Sequence, residues 1–191
     1  MKANLFLLAC FLAAGCTSGA VQAPGPARLP MADASPQERL ADALAAADLA
    51  ARTGDRAGLA SALADLEALR ARPLEPAGEA QLAAWRRASG FEPIPMRGRT
   101  LGRGYRSGTI NAGSDVVIEQ TFLSGQRASI ALSSADDGEL ALNVLDGREQ
   151  SVCREQARRS TCSWVPLFTQ RHTIRLTNRG REDVRYYLVV D

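Results

Sequence analysis

The chain has 191 residues, 46% of them hydrophobic, and a formal net charge of +2. That length can hold one good core or two small ones, and the near-neutral balance, with acids interleaved among the arginines, excludes a charge-driven nucleic-acid binder. Lys2 is the sole lysine, which together with abundant Ala, Gly and Pro reads as a GC-rich coding sequence rather than a selected arginine chemistry.

Met1 to Cys16 reads MKANLFLLACFLAAGC. One basic residue precedes an apolar run from Leu5 to Ala14, which ends at small residues and a cysteine, the layout of a secretory signal. The run of about 10 residues is too short for a membrane span, which needs roughly 20. Ala13-Ala14-Gly15-Cys16 resembles the bacterial lipobox, with Ala13 where Leu is commonest, and this implies a lipid on Cys16. Cleavage before Cys10 would leave too short an apolar core; an ordinary secreted protein is the competing reading. Thr17 follows the cysteine, and the resemblance to sorted lipoproteins then implies the outer membrane, facing the periplasm. Residues 1–15 are thus expected as signal and 16–35 as lipidated N-terminus and Pro/Gly-rich tether.

A helix is predicted to start where Ser35 supplies an N-cap, Pro36 suits the first turn and Glu38 completes a capping box. Leu40, Leu44, Ala47 and Ala51 recur at helical spacing until Gly54. A second helix follows from about Asp55, with Leu59, Leu63, Leu66 and Leu69 on one face, and Pro73 beyond it. A third is read from about Glu79 to Ser89, carrying Leu82 and Trp85 and stopping at Gly90. Residues 36–90 form a small helical region, and helices this short need something to pack on.

The period then changes to two. Strands are read around Ser107–Ile110, Val116–Phe122, Ala128–Leu132, Leu140–Val144, Ile174–Leu176 and Tyr186–Val190, with turn signals at Gly113, Ser124-Gly125, Asp136–Gly138, Asp146-Gly147 and Asn178–Gly180. Short strands at near-regular spacing over 97–191 indicate an antiparallel sandwich, so the fold class is α+β. With Cys10 in the signal and Cys16 lipidated, Cys153 and Cys162 remain as a pair. In an oxidising compartment the simplest fate is a disulfide closing a short loop, worth about 2–3 kcal/mol on the chain-entropy model.

Ser124-Gly125-Gln126 with its following strand, Asp137-Gly138-Glu139 through Asp146-Gly147, His172 through Asn178 and Arg185 through Val190 resemble the bacterial pre-peptidase C-terminal domain, a jelly-roll-like sandwich. The likeness spans roughly residues 100–191. It implies a non-catalytic accessory or adhesion role without naming a ligand. The Cys153–Cys162 loop and the Trp164-Val165-Pro166-Leu167-Phe168 segment depart from the family's usual Gly-Thr-Tyr approach to the next strand, and no protease domain precedes the module here.

Candidate chemistry is sparse. His172, the only histidine, falls on the apolar side of its strand and has no Gly-x-Ser-x-Gly elbow to serve, so it reads as structural. Asp136, Asp137 and Glu139 share a turn and form a weak calcium candidate. No other metal and no cofactor is expected, since two cysteines and one histidine are too few ligands. Arg97, Arg99, Arg103 and Arg106 form an acid-free basic run suited to phosphates or carboxylates, with a solvated linker as the plainer reading. Trp164, Pro166 and Phe168, with Tyr105 and Trp85, offer a sugar-stacking surface or simply core. The expectation is a non-catalytic envelope lipoprotein that binds an envelope protein or glycan; the alternatives are a factor that folds or restrains a secreted protease, and a hydrolase.

Overall fold

The computed structural model describes residues 34–93, 102–136, 138 and 140–191. The residues expected as signal, Cys16 and the expected tether as far as residue 33 lie outside the described residues, as do Arg97, Arg99, Asp137 and Glu139.

Helix α1 (Pro36–Thr53) begins where the sequence says it should. The Ser35 hydroxyl accepts from the Glu38 backbone N–H at 3.2 Å, and Glu38 returns an acceptor to the Ser35 N–H at 2.6 Å. Gly54 ends it in the left-handed region at φ 72°, a conformation glycine adopts without Cβ strain. Helix α2 (Arg56–Ala68) is capped by the Asp55 carboxylate. A two-residue strand β1 (Arg72–Pro73) follows, and α3 (Pro76–Ser89) starts one turn before Glu79, with Pro76 in the first turn.

Eight strands come next: β2 (Gly104–Ile110), β3 (Asp115–Phe122), β4 (Ala128–Ser134), β5 (Leu140–Leu145), β6 (Ser151–Ala157), β7 (Arg159–Trp164), β8 (Gln170–Asn178) and β9 (Val184–Val190). They pair as nested antiparallel couples, β2 with β9, β3 with β8, β4 with β7 and β5 with β6. Folding that nest over gives two sheets in a jelly-roll order, β1-β2-β9-β4-β7 and β3-β8-β5-β6. The expected α+β sandwich is the fold observed.

Two cores share the five-stranded sheet. Between the sheets, Ile130, Leu132, Leu142, Val144, Ile174 and Leu188 are fully enclosed. On the other face of that sheet, Leu40, Leu44, Leu63 and Trp85 pack on Tyr105, Ala131, Tyr187 and Val189. Alternation along β4 explains how both fit. Ile130 and Leu132 point into the sandwich, whereas Ala131 and Ser133, both small, let α1 come close. Each fully buried large apolar side chain contributes about 1.5–3 kcal/mol, so the helices are the third layer of this unit, which spans 33–191.

Polar contacts fix how α1 lies. Glu38 accepts from the Thr161 hydroxyl at 2.7 Å, and Asp42 takes the Ser133 hydroxyl at 2.9 Å and Arg159 at 2.8 Å. Further along, Asp48 binds Arg185 at 2.7 Å and Arg52 at 3.1 Å. On α3, Gln81 donates to the Tyr187 hydroxyl at 3.0 Å. Burial raises the Tyr187 phenol above its ordinary range and pushes Tyr105 up to about 12, so both stay neutral donors. Buried Asn178 ties two turns together, donating to the Ile110 and Glu182 carbonyls and accepting from the Gly180 N–H.

Strands β6 and β7 correct the sequence reading, which left Cys153–Cys162 as a stapled loop. Cys153 and Cys162 are bonded, with Cα atoms 6.0 Å apart, but they sit on the outermost strands of opposite sheets. The bond therefore clips the two sheets together along their open side. Neither strand alternates legibly: β6 is an edge with most of its residues in solvent, and β7 turns Ser160 and Cys162 inward rather than aliphatics. No helix among the described residues is long and apolar enough to cross a membrane.

Candidate functional site

At the β6/β7 end of the sandwich, the β5–β6 turn and the β7–β8 connection stand apart and leave a groove of about 400 Å³ between them. Asp146, Arg148 and Gln150 form one bank. Trp164 and the connection from Val165 to Phe168 form the other, with His172 and Gln170 beneath.

Both banks are held by hydrogen bonds rather than left loose. The Asp146 carboxylate accepts from the N–H groups of Arg148 at 2.8 Å and Gln150 at 2.9 Å. Those bonds, Gln150's first, hold its carboxyl below the usual carboxylate range. Opposite, the Ser124-Gly125 turn braces the connection: Ser124 donates its hydroxyl to the Leu167 carbonyl at 2.7 Å and its N–H to Thr169 at 3.0 Å, and Gly125 donates to the Pro166 carbonyl at 2.9 Å. Gly125 has φ 72°, where a side chain would be strained.

What these braces present is apolar. Leu167 is 82% exposed and Phe168 62%, with Val165, Val152 and Leu123 also exposed. Below them Phe122, Trp164 and His172 form a ring cluster, with Phe122 edge-on to both partners at 4.9 and 5.3 Å between centroids. The Trp164 indole N–H donates to His172 Nε2 at 3.3 Å, and His172 Nδ1 faces the Gln170 carbonyl at 3.3 Å. Both imidazole nitrogens thereby have a partner inside the fold.

The other sequence candidates lie elsewhere. Arg103 pairs with Asp191 at 3.3 Å and Arg106 with Glu75; neither lines the groove. Asp136 gives one oxygen to Arg52 at 2.9 Å and the other to the Arg185 N–H at 2.8 Å. That commits it to a network with Asp48, and no group of three or more potential metal ligands gathers among the described residues. Tyr105 and Trp85 belong to the helix–sheet core. Sequence reasoning singled out Trp164 and Phe168 but missed Leu167, Val165 and Val152. The signal was there: Pro166 in an apolar run stops the strand and turns its neighbours outward.

No protein-family model matches the chain, and no curated protein matches it. Among solved structures, the pre-peptidase C-terminal domain of a Bacillus anthracis collagenase is 12% identical, with 47% of this chain and 89% of that one covered at a TM-score of 0.42. The Yersinia pseudotuberculosis-derived mitogen is 17% identical, covering 47% and 84% at 0.40. PliG of Aeromonas hydrophila, a periplasmic inhibitor of g-type lysozyme, is 12% identical, covering 47% and 84% at 0.38. With TM-scores this low the likenesses assign neither family nor ligand.

Proposed function

We propose that this chain is a non-catalytic binding module of the bacterial envelope that receives a segment of another envelope protein in the groove between Asp146 and Phe168. The observation that carries the reading is the braced, outward-facing Leu167 and Phe168 pair. Two large apolar side chains fixed in water by three hydrogen bonds are what a binding surface keeps and a folding core does not. Aliphatic Val152, Val165 and Leu167 line the groove and suit a peptide side chain. The sequence of the first sixteen residues supports a lipid on Cys16 as the tether to the periplasmic side of the outer membrane.

The test places a photocrosslinking amino acid at Leu167 and, as control, at Val117, which is also exposed but on the outer face of the four-stranded sheet. Soluble protein carrying Cys16→Ser is irradiated with envelope extract at pH 7.5. A discrete protein adduct from position 167 that is absent from 117 and competed by unlabelled protein supports the reading. No adduct, or the same adducts from both positions, overturns it. Palmitate labelling of the full chain, lost in Cys16→Ser, checks the anchor separately.

A further inference from the structure

Trp164 and His172 meet in the floor of the groove in a way that depends on a single proton. His172 is 1% exposed. The Gln170 carbonyl beside Nδ1 can only accept, so the ring hydrogen belongs on Nδ1, and the Nε2 lone pair receives the Trp164 indole N–H. A proton added at Nε2 would set two N–H donors head to head and place a cation among rings.

The neighbouring elements supply little to offset that. On the β5–β6 turn, Asp146 acts on His172 electrostatically, yet one of its oxygens is already occupied by two backbone N–H groups, and Arg148 lines the same groove with opposite charge. Strand β3 brings Phe122 and, directly across in register, Gln120, neither of which titrates. Strand β7 brings Trp164. On β8 itself Arg171 projects to solvent and pairs with Glu119 at 2.9 Å.

We propose that His172 is a proton-operated latch for the groove: neutral, it holds the Trp164 indole in the floor through Nε2, and protonated there, it can no longer accept the indole N–H and releases it. The consequence for a partner rests on the groove being the binding surface, whereas the latch is a property of the chain alone.

The experiment is an NMR titration of the soluble protein from pH 8 to pH 5. It follows the His172 ring carbons and the two indole N–H signals. Trp85, packed on Tyr187 at 6.3 Å in the helix–sheet core, is the internal control. The latch predicts that the Trp164 signal moves with the midpoint of His172 while Trp85 stays, and that His172→Gln abolishes the movement. It also predicts that crosslinking from position 167 falls several-fold between pH 7.5 and pH 5.5, and that this dependence disappears in His172→Gln.

Three results overturn it: His172 titrating with Trp164 unmoved, Trp164 moving alike in His172→Gln, or His172 staying neutral until the protein unfolds. Should His172→Gln fail to fold, Trp164→Phe decides, since losing the indole donor must let His172 take its proton at higher pH, and no change sinks the latch. Absent crosslinks with an intact titration defeat the binding reading alone. Crosslinks with no coupled titration defeat the latch alone.

Discussion

Asp48 on α1 and Arg185 on β9 meet at 2.7 Å, with the Asp48 side chain 2% exposed and Arg185 reaching solvent. Arg52 holds the other Asp48 oxygen and passes on to Asp136, so one buried carboxylate connects the helix layer to the sheet and to the β4–β5 turn. Removing the arginine strands most of a buried charge, whereas removing the acid leaves cations that can turn to water. Arg185→Ala should therefore cost about 2–4 kcal/mol, and Asp48→Ala less, by urea denaturation. The reverse order would mean that desolvation is not what the pair relieves.

Two acids on the same helix should bend the acid limb of stability in opposite directions. The Thr161 hydroxyl and then the Ser35 N–H hold the Glu38 carboxyl below its ordinary value of 4.5. Its contribution is present above that value and lost as pH falls through the folded one. Burial raises Asp42 above 3.8 despite the Ser133 hydroxyl and Arg159. Its contribution is present at low pH and lost as pH rises through its folded value. Glu38→Gln should flatten the loss of stability between about pH 5 and pH 3, and Asp42→Asn should steepen it, in parallel denaturant titrations.

The disulfide gives a third expectation. Native protein should show no reactive thiol at Cys153 or Cys162, and replacing both with serine should cost about 2–3 kcal/mol for a loop of this length. Because the bond joins edge strands of opposite sheets, hydrogen exchange in the variant should quicken in β6 and β7 well before β9. Uniform acceleration would show that the clip acts only on the unfolded chain.

At the groove, Leu167→Ser with Phe168→Ser should leave the midpoint of unfolding within about 0.5 kcal/mol of the parent, as for surface positions generally, while removing the crosslinked adduct. A large loss of stability would place those side chains in the core and out of contact with a partner.

Much of this architecture was legible in the chain because local chemistry and tertiary demand agreed. Ser35, Pro36 and Glu38 announce α1, Gly54 and Gly90 end helices in the left-handed region, and alternation marks β3, β5 and β8. The reading failed where a strand is not half apolar. β6 lies in solvent along an edge, β7 buries a serine and a cysteine, and β2 and β9 start earlier, at Gly104 and Val184, than the alternation that announces them. The groove was harder still. Its two banks, Asp146 to Gln150 and Trp164 to Phe168, are separate segments of the chain, and only the folding of the β5–β6 turn against the β7–β8 connection brings them face to face. Helix docking was invisible in period alone, since it depends on Ala131 and Ser133 being small on the far face of a strand whose near face reads as ordinary core.

The placement of β9 has a consequence in time. The last strand in chain order lies second from one end of neither sheet but in the middle of five, between β2 and β4, and α1 rests partly on it. α1 and β9 stand at opposite ends of the described residues, so α1 lacks part of its floor until β9 is in place. Until then Leu40 and Leu44 can pack only on the other helices and on β4, and the nested pairing makes the closing contacts the most distant in sequence, which slows folding. Such a chain assembles late and all at once, and a deletion confined to the seven residues of β9, Val184–Val190, would undo both layers at their shared sheet.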